Sequence, residues 1–400
     1  MYRKEDDSSC GTLVVKVCIN EWENESRDKK ELSVCRELGA KIEVVAKGDI
    51  GDYGRVENVD GYEVHRLSSR PVKFLPSSLN RIISVFTWAR YVHLLQADII
   101  SGHDIIGLTI AWISNWFSKE NNKAKLVYDS HEFEIGRNVK RNRLQKWIIT
   151  KLERLLISKS AFMIVVNDSI ADEVVKIHRL KKRPVVVRNI PPRWTVNEEE
   201  CRYVRSKFLS DFKRAEGPLL MYHGAICCGR GIEECLNVLS LDERLCLILL
   251  GKLQSSKYRE ELEKLIDEYG IYDRVKFYDP VSYEELWKYI GAVDVEMVLI
   301  QPIVQSYYFA LPNKLFEAIQ VHVPVVATDL PEIRRIVEEY KVGELCKKYD
   351  INDIYEALSN ILNNENVKKE YIENEIKAAT ELCWEVESEK LKKEYKQLFQ

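Results

Sequence analysis

No run of apolar residues in this 400-residue chain approaches the ~20 that a membrane-spanning helix needs, so an integral helical membrane protein is not expected. The N-terminus, MYRKEDDSSCG, lacks the basic start and apolar core of a secretory signal, and the expected location is cytoplasmic. The ten cysteines include no CxxC pair, and Cys227 and Cys228 are neighbours poorly placed to bridge each other. Neither a disulfide framework nor a zinc site is expected, and the thiols read as reduced core residues. The chain also lacks GxGxxG, and the His131-Glu132 pair lacks the second histidine of HExxH. What is present is 46% hydrophobic content, enough at this length for two domains with sizeable cores. The net charge of −3 conceals an asymmetry: residues 1–190 carry 32 Lys+Arg against 25 Asp+Glu, the remainder 28 against 38. Such a split can mark an anionic partner surface for the basic half. A nucleic-acid partner is not expected.

The order of elements is legible in the apolar runs. LVVKVCI (13–19) reads as a buried strand, followed by a polar loop, a helix from about Arg27 to Leu38 stopped by Gly39, and a second strand, KIEVVA. This order opens a parallel sheet, with the loop at the carboxyl end of the strand, where open α/β sheets bind ligands. Arg27, near that loop, reads as a solvated surface arginine. DIIS (98–101), a helix from about Asp104 to Phe117 and the strand AKLVYDSHE continue the alternation, and Asp129, His131 and Glu132 gather just past KLVY. After FMIVV, a helix opening at Asp168 and the strand PVVVRN, the run Asn189-Ile190-Pro191-Pro192-Arg193 makes a stiff extended exit, which places a domain boundary at residue 190.

Two stretches are both basic and apolar. In 70–95, Ile82, Val85, Phe86, Trp88, Ala89, Val92 and Leu95 accompany Arg81 and Arg90, with Lys73 and Phe74 leading in. In 141–159, Trp147, Ile148, Leu152, Leu155 and Leu156 alternate with Arg143, Lys146, Lys151 and Arg154. Each pattern fits a helix lying on an anionic bilayer surface, but taken singly reads more readily as a packed helix with a solvated basic rim.

The second half restarts the βα alternation. GPLLMYHG is a strand, Gly224–Gly231 (GAICCGRG) a glycine-rich loop and IEECLNVL a helix, which is what a phosphate cradle requires, because glycine lets the backbone approach a ligand closely. The loop nearly matches GxxxxGK[ST], but Arg230 replaces the lysine and Gly231 the hydroxyl residue that would hold magnesium, so NTP hydrolysis is not expected. Further on, ALPNKLFEAIQVHVPVVATDLPEIRRIVEEYKVG (310–343) reads as loop, helix, strand, helix. Pro312 suits a first helical turn, whose free N–H groups attract phosphate. Lys314 adds a mobile positive charge, and Glu317, one turn later, offers two acceptor oxygens to a pair of sugar hydroxyls. The hydrophobic pattern alone fits an ordinary amphipathic helix and buried strand as well.

The PNKLFE and PVVATDLPEI runs closely resemble the donor-binding segment of the family-4 glycosyltransferases, particularly bacterial surface-polysaccharide members. VYDSHE, the NIP exit, the glycine loop and VKFYDP are similar to that group at matching places. The resemblance implies an α/β fold of GT-B type, two Rossmann-like parallel-sheet domains facing across a cleft. The acceptor side would be 1–190, the nucleotide-sugar side 191–383, and a helix from about 384 to 400, including Trp384 and LKKEYKQLF, would pack back on the first domain. It implies a retaining enzyme, with no cofactor and no metal, taking a UDP- or GDP-linked sugar as co-substrate and a saccharide or lipid-linked saccharide as acceptor. Peripheral attachment to the inner face of the cell membrane, through 70–95 and 141–159, would fit such an acceptor. By the same resemblance the catalytic set is His131, Arg230 and Lys314, with His131 near the transferred sugar. Gly224, Arg230, Gly231, Tyr278, Asn313, Lys314, Leu315 and Glu317 bind donor, and Asp129, Glu132 and His103 lie on the acceptor side. Three positions depart from the pattern: Ala225 stands where an early basic residue flanks the phosphates, Phe309 where the first of two glutamates contacts the sugar, and His322 where a small residue is customary. They motivate a competing expectation, a non-catalytic or partner-dependent nucleotide-sugar-binding protein of the same fold.

Overall fold

The computed structural model describes residues 11–24, 26–70, 72, 76–136, 141–347 and 350–400. The N-terminal stretch through Cys10, with Lys73 and Phe74, lies outside the described residues. The chain divides into two compact units, one running to Arg188 and taking in Ser388–Gln400, the other Asn189–Glu387.

In the first unit β1 (Leu13–Val17), α1 (Ser26–Glu37) and β2 (Lys41–Gly48) open the sheet, and β3 (Tyr53–Val59) and β4 (Tyr62–Ser68) follow as a hairpin. Its two-residue turn, Asp60-Gly61, has positive φ at both positions (53° and 77°), the geometry that matches the twist of paired strands. Then come α2 (Ser77–Leu94), β5 (Ile99–His103), α3 (Asp104–Ser114), β6 (Lys125–Asp129), α4 (Arg143–Lys159), β7 (Phe162–Val165), α5 (Asp168–His178) and β8 (Val185–Val186). The eight strands lie in the order β3-β4-β2-β1-β5-β6-β7-β8, parallel except for the edge strand β3. Strand order reverses at β1, which has β2 on one side and β5 on the other.

The second unit comprises α6 (Glu198–Asp211), β9 (Leu219–His223), α7 (Ile232–Leu239), β10 (Cys246–Leu250), α8 (Ser256–Glu268), β11 (Val275–Tyr278), α9 (Tyr283–Ile290), β12 (Val295–Val298), α10 (Gln305–Tyr308), α11 (Asn313–Gln320), β13 (Val325–Thr328), α12 (Pro331–Tyr340), β14 (Gly343–Cys346), α13 (Ile351–Asn363) and α14 (Glu365–Glu381). Its parallel sheet has the order β11-β10-β9-β12-β13-β14 and reverses at β9. Apolar cores cover both faces: Phe208, Ile290, Phe316 and Ile333 belong to one, and Ile232, Leu262 and Leu358 to the other. Pro312 caps α11 from an extended conformation and does not occupy its first turn. Helix α15 (Trp384–Lys396) starts in this unit and ends in the first. Among the described residues no helix is long and apolar enough to cross a membrane.

Candidate functional site

In an open parallel sheet the carboxyl ends of the strands on either side of a reversal splay apart and leave a crevice for ligands. In the first unit this point gathers buried charge. Lys16, fully buried in β1, places Nζ 2.9 Å from Asp28 Oδ1 and 3.0 Å from Asp129 Oδ2 and also donates to Glu31. Asp28 and Glu31 lie nearly one turn apart on α1, so one helix face carries both acids inward. His131 Nε2 is 2.7 Å from Asp129 Oδ2 and 3.1 Å from Asp28 Oδ1. His103 Nδ1 is 2.7 Å from Asp28 Oδ2, and the His103 and His131 ring centroids are 3.8 Å apart. Arg27 donates to Asp129 Oδ1 at 3.0 Å and to the Val187 carbonyl at 3.0 Å. With 11% of its side chain exposed, Arg27 is a largely covered, ion-paired cation, contrary to the solvated role expected from sequence. The reason is the Asp129 carboxylate, more than a hundred residues away in the chain.

Burial opposes the charge on His131, but the Asp129 and Asp28 carboxylates outweigh it and push the imidazolium up to about 10. Burial likewise opposes ionisation of Asp28, yet Lys16 and His131 hold it well below the usual carboxylate range. At neutral pH His131 is therefore a cation and hydrogen-bond donor, not a base. Asp28, Asp129 and His131 stand close enough together to ligate a metal ion. The Lys16 ammonium already bridges the same two carboxylate oxygens, so this set fits a lysine in place of a metal.

In the second unit the reversal point lies between β9 and β12, and the loop Gly224–Gly231 leaves β9 there. Gly231 requires its glycine: φ is 77°, and a Cβ would stand 2.0 Å from the Leu299 carbonyl oxygen. Two cations border this loop. Lys314, buried on the first turn of α11, sets Nζ 3.2 Å from the Tyr222 ring centroid, and the Arg230 guanidinium lies 4.8 Å from that of Tyr307. Lys314 Nζ and Arg230 Nε are buried without a hydrogen-bond partner. Burial pulls Lys314 down to about 7, aided by repulsion from Arg230 and resisted by Glu296. Glu317, on the same helix, receives His223 Nε2 at 2.8 Å.

The remaining predicted residues divide by place. Gly224 is exposed in the loop with φ 110°, and Asn313 is exposed at the start of α11. Leu315 turns its side chain into the core, and its N–H bonds the Pro312 carbonyl oxygen, so the side chain is turned away from the loop side. Tyr278 gives its hydroxyl to Asp211 at 2.6 Å and packs its ring on Phe208. Asp129 and His103 are buried within the Lys16 cluster, while Glu132 is exposed beside it. Lys16, Asp28, Glu31, His223 and Glu296 escaped the sequence reading. Charged residues inside otherwise apolar strands, VVKV and VEMV, were the available signal for Lys16 and Glu296.

The α2 and α4 stretches are part packed and part bare. Trp88, Ala89, Val92 and Leu156 are buried, but Ile82, Phe86, Leu144, Trp147, Ile148 and Leu155 are exposed, Trp147 to 60%.

Residues 33–190 match the family described as Glycosyltransferase Family 4, and residues 210–378 match Glycosyl transferases group 1. Over 234 residues the chain is 22% identical to Alpha-D-kanosaminyltransferase of Streptomyces kanamyceticus, a match that spans 58% of this chain and 58% of that relative. Sucrose-phosphate synthase from Thermosynechococcus elongatus superposes with a TM-score of 0.75 at 16% identity, over 97% of this chain and 99% of the other. Anabaena HepE in complex with UDP and glucose gives 0.74 at 13% identity, over 96% and 99%. These neighbours have the GT-B fold of two parallel-sheet α/β domains.

Proposed function

The chain belongs to the family-4 glycosyltransferases and has the GT-B fold, and from that premise we propose that it moves a sugar from a nucleoside-diphosphate sugar to a saccharide or lipid-linked saccharide in surface glycan synthesis. The observation that carries the donor half is the pair of cationic side chains, buried Lys314 and half-buried Arg230, whose Nζ and Nε atoms have no hydrogen-bond partner, beside a glycine loop at a strand-order reversal. Burial disfavours the Lys314 charge more than Glu296 and Glu317 support it, and a diphosphate supplies the further counter-charge and hydrogen-bond acceptors. As the bond to the sugar breaks, negative charge grows on the leaving diphosphate, and fixed cations stabilise it where other enzymes use a metal. Transfer would be retaining and metal-independent. Glu317 accepts hydrogen bonds from the ribose, and His131, held cationic, donates to the sugar. UDP-sugars are the first donors to try, since the Anabaena neighbour was captured with UDP and glucose.

The exposed apolar residues of α4 among Arg143, Lys146 and Lys151 support a peripheral, cytoplasmic-face position on an anionic membrane, where a lipid-linked acceptor would be met. Phe309, in the place of a sugar-contacting acid, favours a second reading: donor binding without transfer. The deciding experiment follows nucleoside-diphosphate release from UDP- and GDP-sugars with a saccharide and lipid-extract acceptor pool. Glu317→Ala should lower kcat/KM roughly ten- to a hundred-fold, the loss of about 1.5–3 kcal/mol from a charged hydrogen bond. Tight binding with no release selects the second reading.

A further inference from the structure

His223, the last residue of β9, stands between two carboxylates on different elements. Nδ1 is 2.9 Å from Glu296 Oε1, in the adjacent strand β12, and Nε2 is 2.8 Å from Glu317 Oε2, on α11. All three side chains are buried, Glu296 completely. Glu296 also receives the His223 backbone N–H at 3.3 Å, so the ring is gripped by the same carboxylate that anchors its main chain. A buried carboxylate inside a parallel strand is costly without a partner. Nε2 makes an aligned hydrogen bond to Glu317, while Nδ1 faces Glu296 at ion-pair distance without an aligned hydrogen bond, so the protonated ring sets one positive charge between the two acids. Burial opposes that charge, but Glu296 and Glu317 prevail and push His223 up to about 9.

We propose that Glu296 and His223 form a positioning chain that fixes Glu317 for the ribose hydroxyls and thereby makes the site selective for ribonucleotide over deoxyribonucleotide donors. The inference rests on the reading of Glu317 as the ribose ligand. His223 occupies Oε2 of Glu317 and restrains the carboxylate plane, which leaves Oε1 as the oxygen for the ribose hydroxyls. A site held ready in this way penalises a sugar that lacks the hydroxyl, because the acceptor is then buried unpaired.

The test is calorimetric binding of UDP, GDP and their 2′- and 3′-deoxy forms to wild type, Glu317→Ala, His223→Ala and the isosteric Glu296→Gln, with circular dichroism checking that each is folded. Wild type should prefer the ribo form of the diphosphate it binds, and Glu317→Ala should abolish that preference. His223→Ala should reduce it about tenfold while affinity for the deoxy forms stays within about twofold, and Glu296→Gln, which also removes a charge that supports Lys314, should reduce the ribo preference about tenfold on top of a weaker affinity for both forms. A ribo preference lost in Glu317→Ala but intact in the other two variants overturns the positioning chain and leaves the ribose ligand standing. An equal fall for ribo and deoxy forms in His223→Ala means a merely structural role and also overturns it. A preference that survives Glu317→Ala, or is missing from wild type, removes the reading on which the inference rests.

Discussion

Lys314 is the residue whose behaviour follows most directly from its surroundings. Its ammonium is held down to about 7 by burial, so the free site loses the charge as the pH rises through the neutral range. A diphosphate arriving beside it raises that value, so binding takes up a proton wherever the free site is neutral. Below pH 7 the lysine is already charged and affinity should be flat. Above pH 7 affinity should fall, approaching tenfold per pH unit, and the heat of binding should depend on the buffer's ionisation enthalpy. Calorimetry in two buffers at pH 6.5 and 8.5 checks this, and Lys314→Arg should remove the pH step. An affinity independent of pH would mean that the ammonium does not meet the ligand. Lys314, Glu317 and Arg230 were legible because each sits in a short segment with its own chemical signature. Asp28, Glu31 and Lys16 were not. The helix SRDKKELSVCRE reads as a charged surface helix, and its inward acids make sense only beside Lys16 and His131, which distant strands deliver.

At the scale of elements, the turn from α11 into β13 carries a penalty that the sequence marked only as an oddity. His322 adopts φ 61°, a left-handed conformation that costs a residue with a Cβ about 1 kcal/mol. This explains why a small residue suits the place. His322→Gly should stabilise the protein by about 1 kcal/mol, read as a higher urea midpoint at unchanged slope. Helix α4 leaves Leu144, Trp147 and Ile148 bare, with Arg143, Lys146 and Lys151 near them. Flotation with anionic vesicles should carry the protein up and neutral vesicles should not. Lys146→Glu with Lys151→Glu should weaken binding by tenfold or more at low salt, since each basic residue near the surface contributes about 1 kcal/mol. No flotation with either vesicle would make α4 a packing helix with an apolar exterior. Most strands and helices were legible from apolar period and flanking glycine. The β3–β4 hairpin goes beyond the alternating pattern, and its signal was the Asp60-Gly61 turn between two short runs.

At the scale of the whole molecule, the prolines after Asn189 and the restart of the βα pattern made two units legible, and the structure divides the chain at Arg188 and Asn189. Helix α15 belongs to both units by sequence: Trp384 bonds the Pro191 carbonyl in the second, while Tyr395 donates to Glu31 in the first. That return was readable through the family resemblance, because an amphipathic terminal helix has no local mark of where it docks. The proposed diphosphate and ribose contacts, by contrast, draw Arg230, Lys314 and Glu317 from the second unit alone, and the partnerless atoms Lys314 Nζ and Arg230 Nε point to an anionic ligand. The most direct test is thermal unfolding of wild type and of Lys314→Ala with Arg230→Ala, in the presence of UDP, GDP, uridine, guanosine, ATP and NAD. At a hundredfold excess over Kd, UDP or GDP should stabilise the wild type by about 2.7 kcal/mol. The nucleosides should have little effect, and the double variant should lose the shift. Stabilisation by ATP or NAD alone, or an undiminished shift in the double variant, would contradict the assignment of these cations to a sugar donor's diphosphate.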